Sequence, residues 1–151
     1  MTTVQKLMPI ITPDSAPFWD GCRNGQLLLQ KCTACESWRY PPAPLCSHCG
    51  SFTSNWSHVS CQGTIHSFVV YHRAFHPAYT DEVPYAVALV DLDEGMRMVM
   101  RVVGCSVKSL TIGMAGAIEL RKVTEEIWVP VFVPTVEIPL YSALPPSSKG
   151  E

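Results

Sequence analysis

From Ser57 onward the chain alternates apolar and polar side chains at a period of two, with β-branched and aromatic residues at the apolar positions. That period marks strands that lay one face on a core. It predicts strands over residues 63–72, 85–92, 96–103, 117–123 and 128–134. Asp93-Glu94-Gly95 supplies a hairpin turn between the second and third of these. Residues 106–110 are long enough for a single helical turn between the third and fourth. Five short strands with a small helical piece in that place predict the partly open Greek-key barrel called an OB-fold.

The N-terminal part lacks that alternation. Residues 1–12 read as an extended arm. Asp14 or Ser15 stands where an N-cap belongs. Ala16, Pro17, Phe18, Trp19 and Cys22 then fit a short helix, with Pro17 tolerated in its first turn. Asn24-Gly25 ends it. Residues 26–31 (QLLLQK) predict a strand, and Trp38-Arg39-Tyr40 leads on toward a proline cluster. The chain therefore divides into an arm and helix over 1–25, a small cysteine-bearing unit over 26–57, the barrel over 58–138 and a tail over 139–151 whose composition predicts fraying. The expected fold class is mainly β.

Seven cysteines in 151 residues need an explanation, and an odd count fits a disulfide framework poorly. Four of them form two C-x-x-C pairs, Cys32 with Cys35 and Cys46 with Cys49, ten residues apart. Each pair places two thiolates on one tight turn, and two facing turns make a tetrahedral four-sulfur site suited to Zn²⁺. Iron takes the same ligands in a rubredoxin-like site, and spacing does not choose between them. With four protein ligands no coordination position is open, so the metal is structural. Pro41, Pro42 and Pro44 stiffen the link between the pairs. A segment of this length, about residues 26–56, is too short to build a core, so metal binding and folding are one event. His48 reads as a solvent-facing turn residue rather than a ligand, and Cys22, Cys61 and Cys105 as small hydrophobic residues.

Charged residues make up 16% of the chain against about 25% in typical domains. Hydrophobic residues make up 47%, and mean hydropathy is +0.14. That balance predicts a partner covering part of the surface. Aromatic residues are common interface anchors, so Phe18 and Trp19 on the helix and Trp38 and Tyr40 on the ribbon are the candidate contacts. A net charge of −2 disfavours nucleic acid. No apolar run reaches the roughly 18–20 residues of a membrane span, and the first residues lack the features of a signal peptide, so a cytoplasmic protein is expected. A ribbon joined to an OB-fold is nonetheless also an architecture of single-stranded nucleic-acid binders. Phe68, Tyr71, Phe75 and Tyr79 would be the stacking platform, but Arg73 is the only basic residue near them apart from histidines.

Several stretches carry a family resemblance: LLLQKCTAC, YPPAPLCSHCGS, GTIHSFVVYHRAFHPAY, VPYAVALVDLDEG and VPVFVP. With these, the span from Phe18 to Pro134 resembles the DUF35 family of rubredoxin-like zinc ribbons fused to OB-folds. Met100-Arg101-Val102-Val103 departs from a polar Thr-Asn pair frequent in that family. The resemblance implies a non-catalytic companion of a thiolase-fold enzyme in a hetero-oligomer. Such companions stabilise the complex and help form its acyl-CoA channel, in thiolytic cleavage or its reverse, in retro-aldol cleavage or in acyl transfer. It also implies a coenzyme A thioester as a ligand of the complex. Arg73, Phe75 and Tyr79, in the loop after the first barrel strand, are the candidate contacts. Arg73 would meet a phosphate, while Phe75 and Tyr79 would line the pantetheine arm or stack on adenine.

Overall fold

The structure, a computed structural model, describes residues 6–135. The tail expected over 139–151 lies outside them. Helix α1 (Ala16–Arg23) is followed by a three-stranded antiparallel sheet in the order β2-β1-β3, with β1 Leu28–Cys32, β2 Trp38–Arg39 and β3 Ser54–His58. Five further strands close a barrel: β4 Gln62–Tyr71, β5 Tyr85–Leu92, β6 Arg97–Val102, β7 Ala115–Lys122 and β8 Trp128–Pro134. Their order round the barrel is β4-β5-β6-β8-β7, and β7 returns to β4. Among the described residues only β6 and β8 pair in parallel, through Arg101 with Val131 and Val102 with Phe132. This is the five-stranded OB-fold expected from the sequence.

Two short 3₁₀ turns complete the barrel's connections. Val107–Ser109 provides the helical turn expected between the third and fourth barrel strands. Pro77–Glu82 forms a turn where the sequence reading has a loop with a polar break. Leu92 and Gly95 close the β5–β6 hairpin, with Gly95 at φ +84°.

Two expected details shift for visible reasons. The strand predicted over 26–31 begins at Leu28, because the Gln26 amide instead donates to the Gly21 carbonyl at 2.8 Å and closes the end of α1. Ser15 occupies the N-cap position of α1 but its side chain does not cap it. Its hydroxyl accepts from the Thr12 amide at 2.9 Å, which fastens the arm to the helix start.

Alternation along β5 sets the core. Ala86, Ala88, Val90 and Leu92 are buried and their neighbours face outward. Met98, Met100 and Val102 of β6, Ile65 of β4, Ile118 of β7 and Phe132 of β8 complete the barrel interior. Phe18, Cys22, Leu27 and Leu29 belong to the same buried cluster, so helix and ribbon share the barrel's core rather than building their own. Strand β4 carries a bulge between Ile65 and Ser67, which turns His66 outward to meet Asp91 at 2.9 Å.

Gly116 marks the tightest crossing. A Cβ there would strike the Val133 carbonyl and the Phe132 ring, which cannot retreat in a closed barrel. Gly116→Ala is expected to lower stability by about 1–3 kcal/mol, the range for overpacking. Denaturant unfolding followed by tryptophan fluorescence would measure it, and an unchanged midpoint would count against this packing.

Candidate functional site

Two turns with one hydrogen-bond pattern build the metal centre. In the first, the Cys32 amide donates to Ser37 O at 2.9 Å and the Glu36 amide to Cys32 O at 3.0 Å. In the second, Cys46 donates to Ser51 O at 2.9 Å and Gly50 to Cys46 O at 2.9 Å. Both turns place their fifth residue in the left-handed region, Glu36 at φ +59° and Gly50 at φ +74°. Glycine suits that conformation and glutamate does not, so the first turn holds its shape against a local preference.

The four sulfurs of Cys32, Cys35, Cys46 and Cys49 all lie within 4.8 Å of one another. Cys32 and Cys49 are 3.6 Å apart, and Cys35 and Cys46 3.7 Å. Ligands about 2.3 Å from a tetrahedral zinc sit about 3.8 Å from each other, so the set fits the ion. Proton affinities diverge within the cluster. The Ser37 hydroxyl, 3.3 Å from Cys46 Sγ, and the Cys49 amide pull the Cys46 thiol down to about 5. The Cys35 amide leads in lowering Cys32 to about 7. At Cys49 the Ser51 amide lowers the thiol, but Cys35, burial and the other sulfurs outweigh it and raise it to about 12. Crowded thiolates of this kind are relieved by a divalent cation among them. His48 is exposed, as expected of a turn residue outside the ligand set.

Arg39, at the end of β2, ties the two turns together, and sequence reasoning missed it. It is 5% exposed. Its Nη1 donates to the carbonyls of Ala43 at 3.4 Å and Pro44 at 3.3 Å, and its Nη2 to those of Ser51 at 3.1 Å and Thr53 at 2.8 Å. Cys32 and Cys46 beside the guanidinium push its pKa up further. Gln30, also buried, accepts from the Ala43 amide at 2.8 Å and holds the proline link on β1.

The candidate partner contacts separate. Phe18 is 3% exposed, with the Trp19 ring 4.9 Å and the Tyr40 ring 5.9 Å away. Its expected role at an interface is corrected: the chain's own helix, ribbon and barrel enclose it. Trp19, Trp38 and Tyr40 are half-buried against the core and keep part of their surface. Lys31 Nζ lies 5.5 Å from the centre of the Trp38 ring.

Among the candidate ligand residues, Arg73 and Phe75 are exposed in the loop after β4, and Tyr79 is half-buried in the 3₁₀ turn. Phe75 meets Tyr71 edge-on at 6.0 Å, Tyr71 stacks on Tyr85 at 5.0 Å, and Tyr79 leans toward Tyr85 at 6.2 Å. The loop thus contributes to one aromatic group at an end of the barrel, which Arg73 joins by no ion pair among the described residues. The cations that do meet this group are Arg101, 4.7 Å over Tyr85, and Lys6, 5.5 Å over Tyr79. Both also pair with Glu82, whose carboxyl they hold below its ordinary range, Lys6 more strongly than Arg101. Neither cation is signalled by a motif.

Two family models cover most of the chain. The ChsH2 rubredoxin-like zinc ribbon domain matches residues 19–54, and the ChsH2 C-terminal OB-fold domain matches residues 56–120. A DUF35 domain-containing scaffold protein of Methanothermobacter thermautotrophicus is 33% identical over 99 residues, which cover 64% of this chain and 72% of that protein. The chain belongs to the DUF35 family. A probable enoyl-CoA hydratase alpha subunit of Thermomonospora curvata is 40% identical over 130 residues, 85% of this DUF35 chain. The chain spans 40% of the length of that subunit. The solved Ltp2-ChsH2(DUF35) aldolase superposes with a TM-score of 0.77 at 38% identity, covering 85% of this chain and 100% of that one. The four cysteines are therefore those of a DUF35 zinc ribbon. Among the described residues no helix is long and apolar enough to cross a membrane.

Proposed function

We propose that this chain is the non-catalytic subunit of a hetero-oligomeric acyl-CoA enzyme whose catalytic subunit has a thiolase fold. It stabilises the complex and helps form its acyl-CoA channel. The observation that carries this reading is the match, over the whole of that chain, to the DUF35 component of the Ltp2-ChsH2 aldolase. The closed four-sulfur centre supports it, because a metal with every position filled by protein holds a fold rather than activating a substrate. Trp19, Trp38 and Tyr40 are the proposed anchors for the catalytic subunit. Arg73, Phe75 and Tyr79 are the proposed contacts to the coenzyme A thioester. A second reading, a companion of an enoyl-CoA hydratase, is favoured by the name of the Thermomonospora relative.

Co-expression with a thiolase-fold catalytic subunit tests the proposal. The expected result is one stable complex on size exclusion that cleaves a carbon–carbon bond of an acyl-CoA. Water addition to an enoyl-CoA by a complex with a hydratase would favour the second reading. In the complex, Arg73→Ala is expected to raise KM for the thioester roughly tenfold or more, with kcat little changed, as loss of a charge-assisted phosphate contact does. Two separate peaks on size exclusion, with this chain monomeric beside the catalytic subunit, would overturn the proposal.

A further inference from the structure

The N-terminal arm does not lie flush on the barrel. A cleft of about 190 Å³ remains between them, walled by Leu7, Met8, Pro9, Val123, Ile127 and Val129. Its walls are apolar, and its rim carries Lys6, Tyr79 and Arg101. Two cations there share one carboxylate, Glu82, so the rim keeps an excess of positive charge. Among the described residues, Arg101 finds an acceptor for Nη1 alone. Its remaining donors are open to a ligand, and its side chain is 33% exposed. The cleft's other flank is acidic. Glu125 and Glu126 stand beside Ile127 where the groove continues under Met8 and Ile11, and Glu125 is paired with Lys122 at 2.6 Å. An anion entering the cleft is therefore drawn to one end and repelled from the other.

We infer that the cleft between arm and barrel binds a small anionic amphiphile, a phosphate or carboxylate head at Lys6 and Arg101 and a short apolar body along Leu7, Ile127 and Val129. The apolar body recovers surface that the arm and barrel leave uncovered, and the head satisfies the open guanidinium donors. The cleft shares Tyr79 with the thioester contacts proposed above but needs no partner subunit. The two readings therefore fail separately: formation of the complex tests one, and ligand binding by this chain alone tests the other.

The test uses the full chain and four probes: hexyl phosphate, heptanoate, inorganic phosphate and 1-hexanol. Affinity is read by calorimetry, and the location by amide shifts. Hexyl phosphate or heptanoate is expected to bind at least tenfold more tightly than inorganic phosphate or hexanol, and the better of the two identifies the head group. Shifts are expected at Lys6–Met8, Tyr79, Ile127 and Val129. Val129→Trp, which fills the cleft, is expected to abolish binding, and Lys6→Gln to weaken it several-fold. Lys6 lies on the arm outside the buried core, its side chain 40% exposed, so its variant folds even if Val129→Trp does not. Amphiphiles that bind no better than their fragments, that bind Lys6→Gln as they bind the unaltered chain, or that shift residues elsewhere would overturn the inference.

Discussion

Cys46→Ser abolishes zinc binding and unfolds residues 28–58 while leaving the barrel's hydrogen-bonded circuit closed; this is the expected result of the most disruptive single change. The ribbon has a sheet of three strands, one of them two residues long. Its buried residues Leu27 and Leu29 pack on the barrel's core, but the two turns that carry the ligands have no core beneath them. Structural zinc contributes on the order of 10–16 kcal/mol in such small units, far more than the rest of the ribbon can supply. Serine keeps the size and loses the thiolate. Elemental analysis should find no zinc, and hydrogen exchange should show β1–β3 amides unprotected with β4–β8 amides retained. A strong chelator applied to the unaltered protein should reproduce that pattern. Protected β1–β3 amides in zinc-free protein would show that side-chain packing, not metal, holds the ribbon.

The strands that sequence pattern located best each pair antiparallel with a chain neighbour, β5 with β4 and β6, and β8 with β7. Residues 85–92 and 128–134 form strands with the expected bounds, since β5 alternates strictly and pairs through a hairpin with β6. Strand β3, Ser54–His58, carries no such pattern. It forms because the second zinc turn delivers it beside β1, with Gln30 opposite Trp56, and a pairing imposed by metal geometry leaves no period in the chain. The same holds at the barrel's end. Aromatic residues of the loop after β4 were legible as a cluster, but Glu82 joins Lys6 and Arg101 from distant segments. Arg73, the cation adjacent in sequence, makes no ion pair among the described residues. Phe18 was misplaced for a related reason. An aromatic residue on an amphipathic helix looks the same whether its apolar face meets a partner or the chain's own barrel, and here α1 packs on β7 and β8.

Replacing Arg39 is expected to damage the metal centre without touching a ligand. Its guanidinium collects four carbonyls, two from the proline link and two from the segment between the second turn and β3. Removing it leaves those carbonyls without their donor in a site where Arg39 itself is 5% exposed. It also removes a positive charge beside Cys32 and Cys46, where four thiolates around a divalent ion leave two net negative charges. Both effects act on the same turns, the second through the ion. Arg39→Met, which keeps the length and the apolar stem, should lower zinc affinity about 10–100-fold, the range for residues that orient ligands from outside the coordination sphere. Arg39→Lys should recover little of it, because a single ammonium cannot serve four acceptors set for a planar fork. Competition with a chromogenic chelator measures the affinity. Exchange at the Cys46 and Gly50 amides, which close the second turn, reports whether that turn has loosened. If Arg39→Met binds zinc as tightly as the unaltered chain, the guanidinium is a passive filler; if Arg39→Lys restores affinity in full, charge alone accounts for its role and the fork geometry does not.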